Sequence, residues 1–126
     1  MPETRGGLAA ENIVTPWNPE RMLTRLGGDE ALARQLAALF IDECPQMLDR
    51  VRQSLKQTDP DVVRRAAHAF KGSVANFVEG GAAASALELE SIGRDNRLTE
   101  APPVLERLEG EIAALLIDLR RFAEGA

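Results

Sequence analysis

The sequence predicts an all-α fold: an antiparallel four-helix bundle preceded by a short N-terminal helix. Three observations carry this reading. Apolar residues recur at intervals of three and four along four long segments, and no run shows the two-residue alternation of a half-buried strand. Helix caps and Gly or Pro breaks separate those segments. The core stock is aliphatic, because hydrophobic residues make up 44 % of the chain but aromatics only 4 %, with no Tyr and one Trp. Such a stock favours packed helices over a β-sandwich. A chain of 126 residues is one domain's worth, and 28 % charged residues is ordinary globular composition.

Residues 1–15 carry no sustained periodicity and read as a loose leader or the end of a linker, leaving residues 16–126 for the bundle. Asn18-Pro19 supplies a cap and a proline at the first helical position. Met22, Leu23 and Leu26 follow, and Gly27-Gly28 stops this short helix. Asp29 caps a much longer one, with Leu32, Leu36, Leu39, Phe40, Cys44, Met47, Leu48, Val51 and Leu55 as its expected buried stripe. Pro45 falls inside it and predicts a kink rather than a stop, since the stripe keeps its register on both sides. Asp59-Pro60 opens the third long segment, in which Val63, Ala66, Ala67, Phe70, Val74 and Phe77 share a face and Gly80-Gly81 marks the end. An Ala-rich helix follows from about Ala82 through Ala86, Leu89 and Ile92, fading near Asp95-Asn96. Thr99 to Pro103 opens the last, with Leu105, Leu108, Ile112, Leu115, Leu119 and Phe122 along its seam. Short turns between amphipathic helices make antiparallel neighbours.

Charge and composition exclude several classes of function. A net charge of −5 and a pI near 4.9 argue against nucleic acid as the main partner. No apolar run approaches the ~20 residues that span a membrane, and Met1 to Ala10 lack the apolar core of a signal peptide. One Cys and one His make neither a disulfide nor a zinc site. The inventory also offers no catalytic triad. The chain therefore reads as cytoplasmic, monomeric and free of bound cofactor or metal.

The third long helix holds residues that core packing does not explain. At 100° per residue, His68 falls away from the Val63–Phe70–Val74–Phe77 seam, with Arg64, Lys71 and Gly72 a turn away and Ala75 a turn further. Every charged residue between Val62 and Val78 is positive (Arg64, Arg65, Lys71) in a chain that is acidic overall. A cationic patch disfavours imidazolium, keeps the ring neutral and nucleophilic near pH 7, and attracts anions. Gly72 also points outward, although glycine in a helix is less favourable than alanine by ~1 kcal/mol. A missing side chain beside a surface nucleophile suggests close approach by another protein.

The stretch AAHAFKGSVANF at 66–77 resembles the H-x-x-K-G-S signature of histidine-containing phosphotransfer domains, and LELESIGR at 87–94 resembles a second helix of that family. The resemblance covers about residues 17–124. It implies that His68 is the phosphoacceptor and that Lys71 offsets the phosphoryl charge. Gly72, Arg64, Ala75 and Arg94 are expected to meet the partner, Arg94 as a second basic residue near the site. The implied partners are response-regulator receiver domains, with Mg²⁺ held by the receiver and none here. No Gly-rich nucleotide loop accompanies the motif: Gly27-Gly28-Asp29-Glu30 precedes no Gly-Lys-Ser/Thr, and Lys71-Gly72-Ser73 runs in another order. The chain thus carries phosphate rather than loading it from ATP, either as a stand-alone protein or as the C-terminal part of a hybrid sensor kinase. The competing reading is a bundle that binds a receiver or another protein without being phosphorylated.

Overall fold

The computed structural model describes residues 17–125; the leader assigned to 1–15 lies outside them. Five α-helices follow in order: α1 (Pro19–Arg25), α2 (Glu30–Lys56), α3 (Pro60–Val74), α4 (Ala82–Arg94) and α5 (Ala101–Ala123), with a 3₁₀ turn at Leu98–Glu100 leading into α5. The described residues include no strand. The four long helices form a closed antiparallel ring in which α2 packs on α3, α3 on α4, α4 on α5 and α5 back on α2, while α1 rests against α2.

The capping residues act as their sequence positions imply. The side chain of Asn18 accepts from Glu20 N, that of Asp29 from Leu32 N and that of Asp59 from Asp61 N, each at 3.0 Å. Gly27 and Gly28 both take positive φ, and Gly28 N donates to Leu23 O at 2.7 Å, reversing the chain between α1 and α2. Helix α2 runs through Pro45 without a break.

Two details differ from the sequence reading. At the start of α2 the buried face is Ala33, Ala37 and Phe40, while Leu32 and Leu39 stand 38 % and 51 % exposed. Small residues win there because α2 packs closely against its neighbours, and the leucines fall to either side of that contact. Helix α3 ends at Val74 rather than at the glycine pair. Phe77 therefore lies in the following turn, buried against Phe40 at 5.0 Å and Trp17 at 6.0 Å between ring centroids. Trp17 also meets Phe122 edge-on at 5.5 Å, so four of the five aromatics of the chain form one cluster. The last helix opens as the sequence marks it: the 3₁₀ turn at Leu98–Glu100 leads into α5 at Ala101, inside the stretch Thr99 to Pro103.

The tightest contact in the bundle lies between α3 and α4. A β-carbon on Gly93 would stand 2.6 Å from Arg64 N and 2.7 Å from Pro60 O, closer than any real side chain approaches backbone. Beside Gly93, Ala82, Ala83, Ser85, Ala86, Leu89 and Ile92 are buried along α4. Small residues on α4 thus draw α3 in and set the spacing of the groups displayed above that contact. Cys44 is buried, and burial pushes its thiol up to about 11 against the opposing pull of Arg120 and Arg52.

Candidate functional site

His68 projects from the middle of α3 with its side chain 64 % exposed. The seam behind it, Val63, Ala67, Phe70 and Val74, is fully buried. Lys71 shares the face of His68 and leans toward α4, its side chain 28 % exposed. Gly72 is open: a β-carbon there would meet nothing within 4 Å. Ala75, the C-cap of α3, is exposed one turn beyond Gly72. The two helical glycines of the α3–α4 pair thus have opposite surroundings. Gly93 lies where backbone leaves no space, and Gly72 where nothing stands nearby.

The cationic patch is less free than the sequence suggests. Arg64 Nη2 pairs with Asp61 Oδ1 at 2.7 Å, and Arg65 Nε with Asp61 Oδ2 at 3.1 Å. Hydrogen bonding from Arg64 in turn holds the Asp61 carboxyl below its ordinary range, against the opposing effect of desolvation. Arg94 is exposed, 3.2 Å from Ser91 Oγ and 3.5 Å from Asp95 Oδ1. The structure brings His68, Lys71 and Gly72 together on one face; Arg64 and Arg94 make their recorded polar contacts with residues on their own segments.

Sequence reasoning missed Glu90. From α4 its carboxylate reaches both candidate side chains of α3: Oε2 lies 3.1 Å from His68 Nδ1, and Oε1 lies 2.9 Å from Lys71 Nζ. The Glu90 side chain is only 14 % exposed. Burial alone would raise its pKa, but contact with Lys71 and the hydrogen bond from His68 outweigh it and hold the carboxyl below the ordinary 4.5. The field at the imidazole is therefore mixed rather than purely cationic. A signal was present in the sequence. On α4, Glu90 shares its arc with Ala83, Ala86 and Gly93, so a carboxylate sits among small residues where a neighbouring helix comes close.

This arrangement has a definite chemistry. An ionised carboxylate only accepts hydrogen bonds, so the shared hydrogen sits on His68 Nδ1. In a neutral ring, the lone pair then belongs to Nε2, the nitrogen turned away from Glu90. A nucleophilic nitrogen, a nearby ammonium and an open approach over Gly72 suit acceptance of a compact anionic group. Among the described residues, no group of three or more His, Cys, Asp or Glu side chains could hold a metal ion. No helix among them is long and apolar enough to cross a membrane.

The low folded-state value of Glu90 makes a pH prediction. A carboxyl whose pKa is depressed by folding contributes stability in full above its unfolded value and loses it as pH falls through its folded value. Glu90→Gln removes that contribution. In denaturant titrations, the stability gap between wild type and variant is expected to be widest above about 4.5 and to close on acidification. A gap that stayed constant with pH would show that the carboxylate gains nothing from its two partners.

With this geometry in place, comparison with known proteins gives a consistent answer. The family model described as the Hpt domain matches residues 35–118, which hold most of α2, all of α3 and α4 and most of α5. The chain belongs to the Hpt domain family. Its fold is similar to the crystal structure of histidine-containing phosphotransfer protein B (HptB) from Pseudomonas aeruginosa PAO1. The TM-score is 0.80 at 23 % sequence identity, covering 88 % of this chain and 96 % of that one. No curated protein matches the chain in sequence. Membership assigns this Hpt domain a phosphotransfer role in phosphorelays, as a carrier working with receiver domains rather than as a catalyst.

Proposed function

We propose that this Hpt domain accepts a phosphoryl group on Nε2 of His68 from a receiver-domain aspartate and passes it to another receiver. The observation that carries the reading is the commitment of Nδ1–H to Glu90, which presents the other ring nitrogen to solvent beside Lys71. Lys71 offsets charge on the phosphoryl oxygens. Gly72 clears the path for a bulky donor. Beyond it, Ser73 and Asn76 form one wall of a shallow groove whose other wall is Leu36, Leu39 and Glu43, with Phe40 and Phe77 at its base, and this offers the receiver apolar contact. Arg64, Ala75 and Arg94 border the same approach. Mg²⁺ belongs to the receiver's acidic pocket, and the domain acts as a cytoplasmic monomer. Transfer then depends mainly on alignment and charge stabilisation.

The direct test is incubation with a phosphorylated receiver. Phosphate stable to base and labile to acid, mapped to His68, supports the proposal. Receiver binding without phosphate on the domain would instead establish a non-phosphorylated docking bundle.

Gly72 separates sterics from chemistry. Replacement by Ala is expected to raise stability by up to ~1 kcal/mol, through helix propensity and with no clash to oppose it. Gly72→Gln should keep the fold yet lose most of the transfer rate through weaker docking, seen as a rightward shift in transfer kinetics against receiver concentration. Lys71→Ala should largely spare docking and disfavour the loaded state. Normal transfer by a folded Gly72→Gln protein would place the receiver on another face.

A further inference from the structure

The groove beside Gly72 does not end at Leu36. Leu36 and Asn76 also line a second hollow, whose far side is Met22, Arg25 and Leu26 of the α1 region. The two hollows form one trough, crossing from α1 over α2 to the end of α3. Each has a single charged lining residue, and the signs are opposite: Arg25 in the α1 hollow, Glu43 in the other. Leu36 and Glu43 are two turns apart on one helix, about 10 Å, so an apolar floor separates the charged ends. Arg25 and Glu43 are both exposed, and neither has an ion-pair partner among the described residues. The α1 wall is held in place. Arg21 Nη1 pairs with Glu79 Oε2 at 2.6 Å, Met22 is buried, and Arg25 Nη1 lies 3.5 Å from Asn76 O.

We infer that Arg25 and Glu43 are specificity-determining residues: together they select a receiver whose apolar contact surface carries an acidic side chain at the α1 end and a basic one at the Glu43 end. The inference rests on receiver docking at this face as proposed above. Continuity of the surface names the occupant. Ser73 and Asn76 line the trough and directly follow Gly72 and Ala75, so a body that brings its phosphoaspartate to His68 covers the trough in the same step. Covering strips water from both charges. A matched receiver replaces that water with two ion pairs, whereas a receiver carrying the same pair in the reverse order meets two like-charge contacts. Apolar contact alone has no direction. The unlike ends therefore fix which way round the receiver lies, and transfer depends on that alignment. Net charge cannot supply this selection, because the two charges cancel.

The test compares two donors on the intact domain. One is the receiver domain that loads the wild type fastest, itself phosphorylated with acetyl phosphate. The other is phosphoramidate, a donor too small to touch the trough, whose P–N bond breaks to release ammonia. Arg25→Glu and Glu43→Lys are each expected to raise the half-saturating receiver concentration about tenfold, and to lower the ratio of receiver loading to phosphoramidate loading accordingly. Arg25→Gln and Glu43→Gln should show the same change in smaller measure. The variant that carries Arg25→Glu and Glu43→Lys together separates order from net charge. Its net charge is that of the wild type but its trough is reversed, so it should dock at least as poorly as either single reversal. Wild-type docking by the doubly reversed protein, or by either single reversal, overturns the inference and leaves the carrier role intact. An equal loss with phosphoramidate also overturns it, by tracing the defect to His68 rather than to docking. Failure of wild-type His68 to take up phosphate from either donor, with the domain folded, overturns the carrier role and this inference together.

Discussion

Replacing His68 by Gln is expected to abolish phosphoryl acceptance completely while leaving the bundle intact. The completeness follows from inventory, because the chain has no second histidine to take over. Structural tolerance follows from position. The side chain is mostly exposed, and its recorded polar contact is the hydrogen bond to Glu90, so the loss should stay within about 1 kcal/mol. Glu90 also keeps Lys71 as a partner, so its carboxylate is not left alone. The measurement is radiolabelled transfer from a phosphorylated receiver beside a thermal melt of the same sample. Label that survives in the variant would remove His68 from its assigned role.

The largest effect on stability is expected at a residue with no chemistry. Gly93→Ala places a β-carbon 2.6 Å from one backbone atom of α3 and 2.7 Å from another. Neither can rotate away as a side-chain tip would, so α3 and α4 must separate along part of their length. Overpacking of this kind destabilises by about 2–3 kcal/mol, and the rigidity of the contact argues for the upper part of that range. For a domain of this size the melting temperature should fall by roughly 10 °C. Helix propensity acts in the opposite sense and is smaller, ~1 kcal/mol. A neutral or stabilising Gly93→Ala would show that the two helices do not pack as described. Because Glu90 reaches His68 and Lys71 only while α4 lies this close, the variant should also weaken transfer, even where it remains folded. Gly72→Ala is the natural control. The same substitution one helix away is expected to stabilise, since free space surrounds it.

Much of the architecture is a property of local sequence. The caps at Asn18, Asp29 and Asp59, the glycine pair at 27–28 and the three-four spacing of aliphatic residues each act within a few positions of themselves. Helix order and the outward direction of His68 and Gly72 therefore followed from the chain alone. The leucines at 32 and 39 show where such reasoning fails. Periodicity identifies an apolar arc, but packing distance decides whether its large or its small members face the neighbour, and there Ala33 and Ala37 won. The end of α3 failed for a related reason, since Phe77 is drawn into the core by Phe40 and Trp17 across the fold rather than by helical phase.

The site divides in the same way. His68, Lys71 and Gly72 lie on one turn of one helix, and their common face is dictated by a rotation of 100° per residue. Glu90 is 22 positions from His68 on a different helix, and nothing local places its carboxylate against the imidazole. That placement requires α3 and α4 to approach until backbone meets Gly93, which is a property of the whole bundle. The sequence by itself singled out His68 as the candidate nucleophile. Only the tertiary structure decided which nitrogen of it is free, because a ring's hydrogen follows its partner, and the partner comes from another helix.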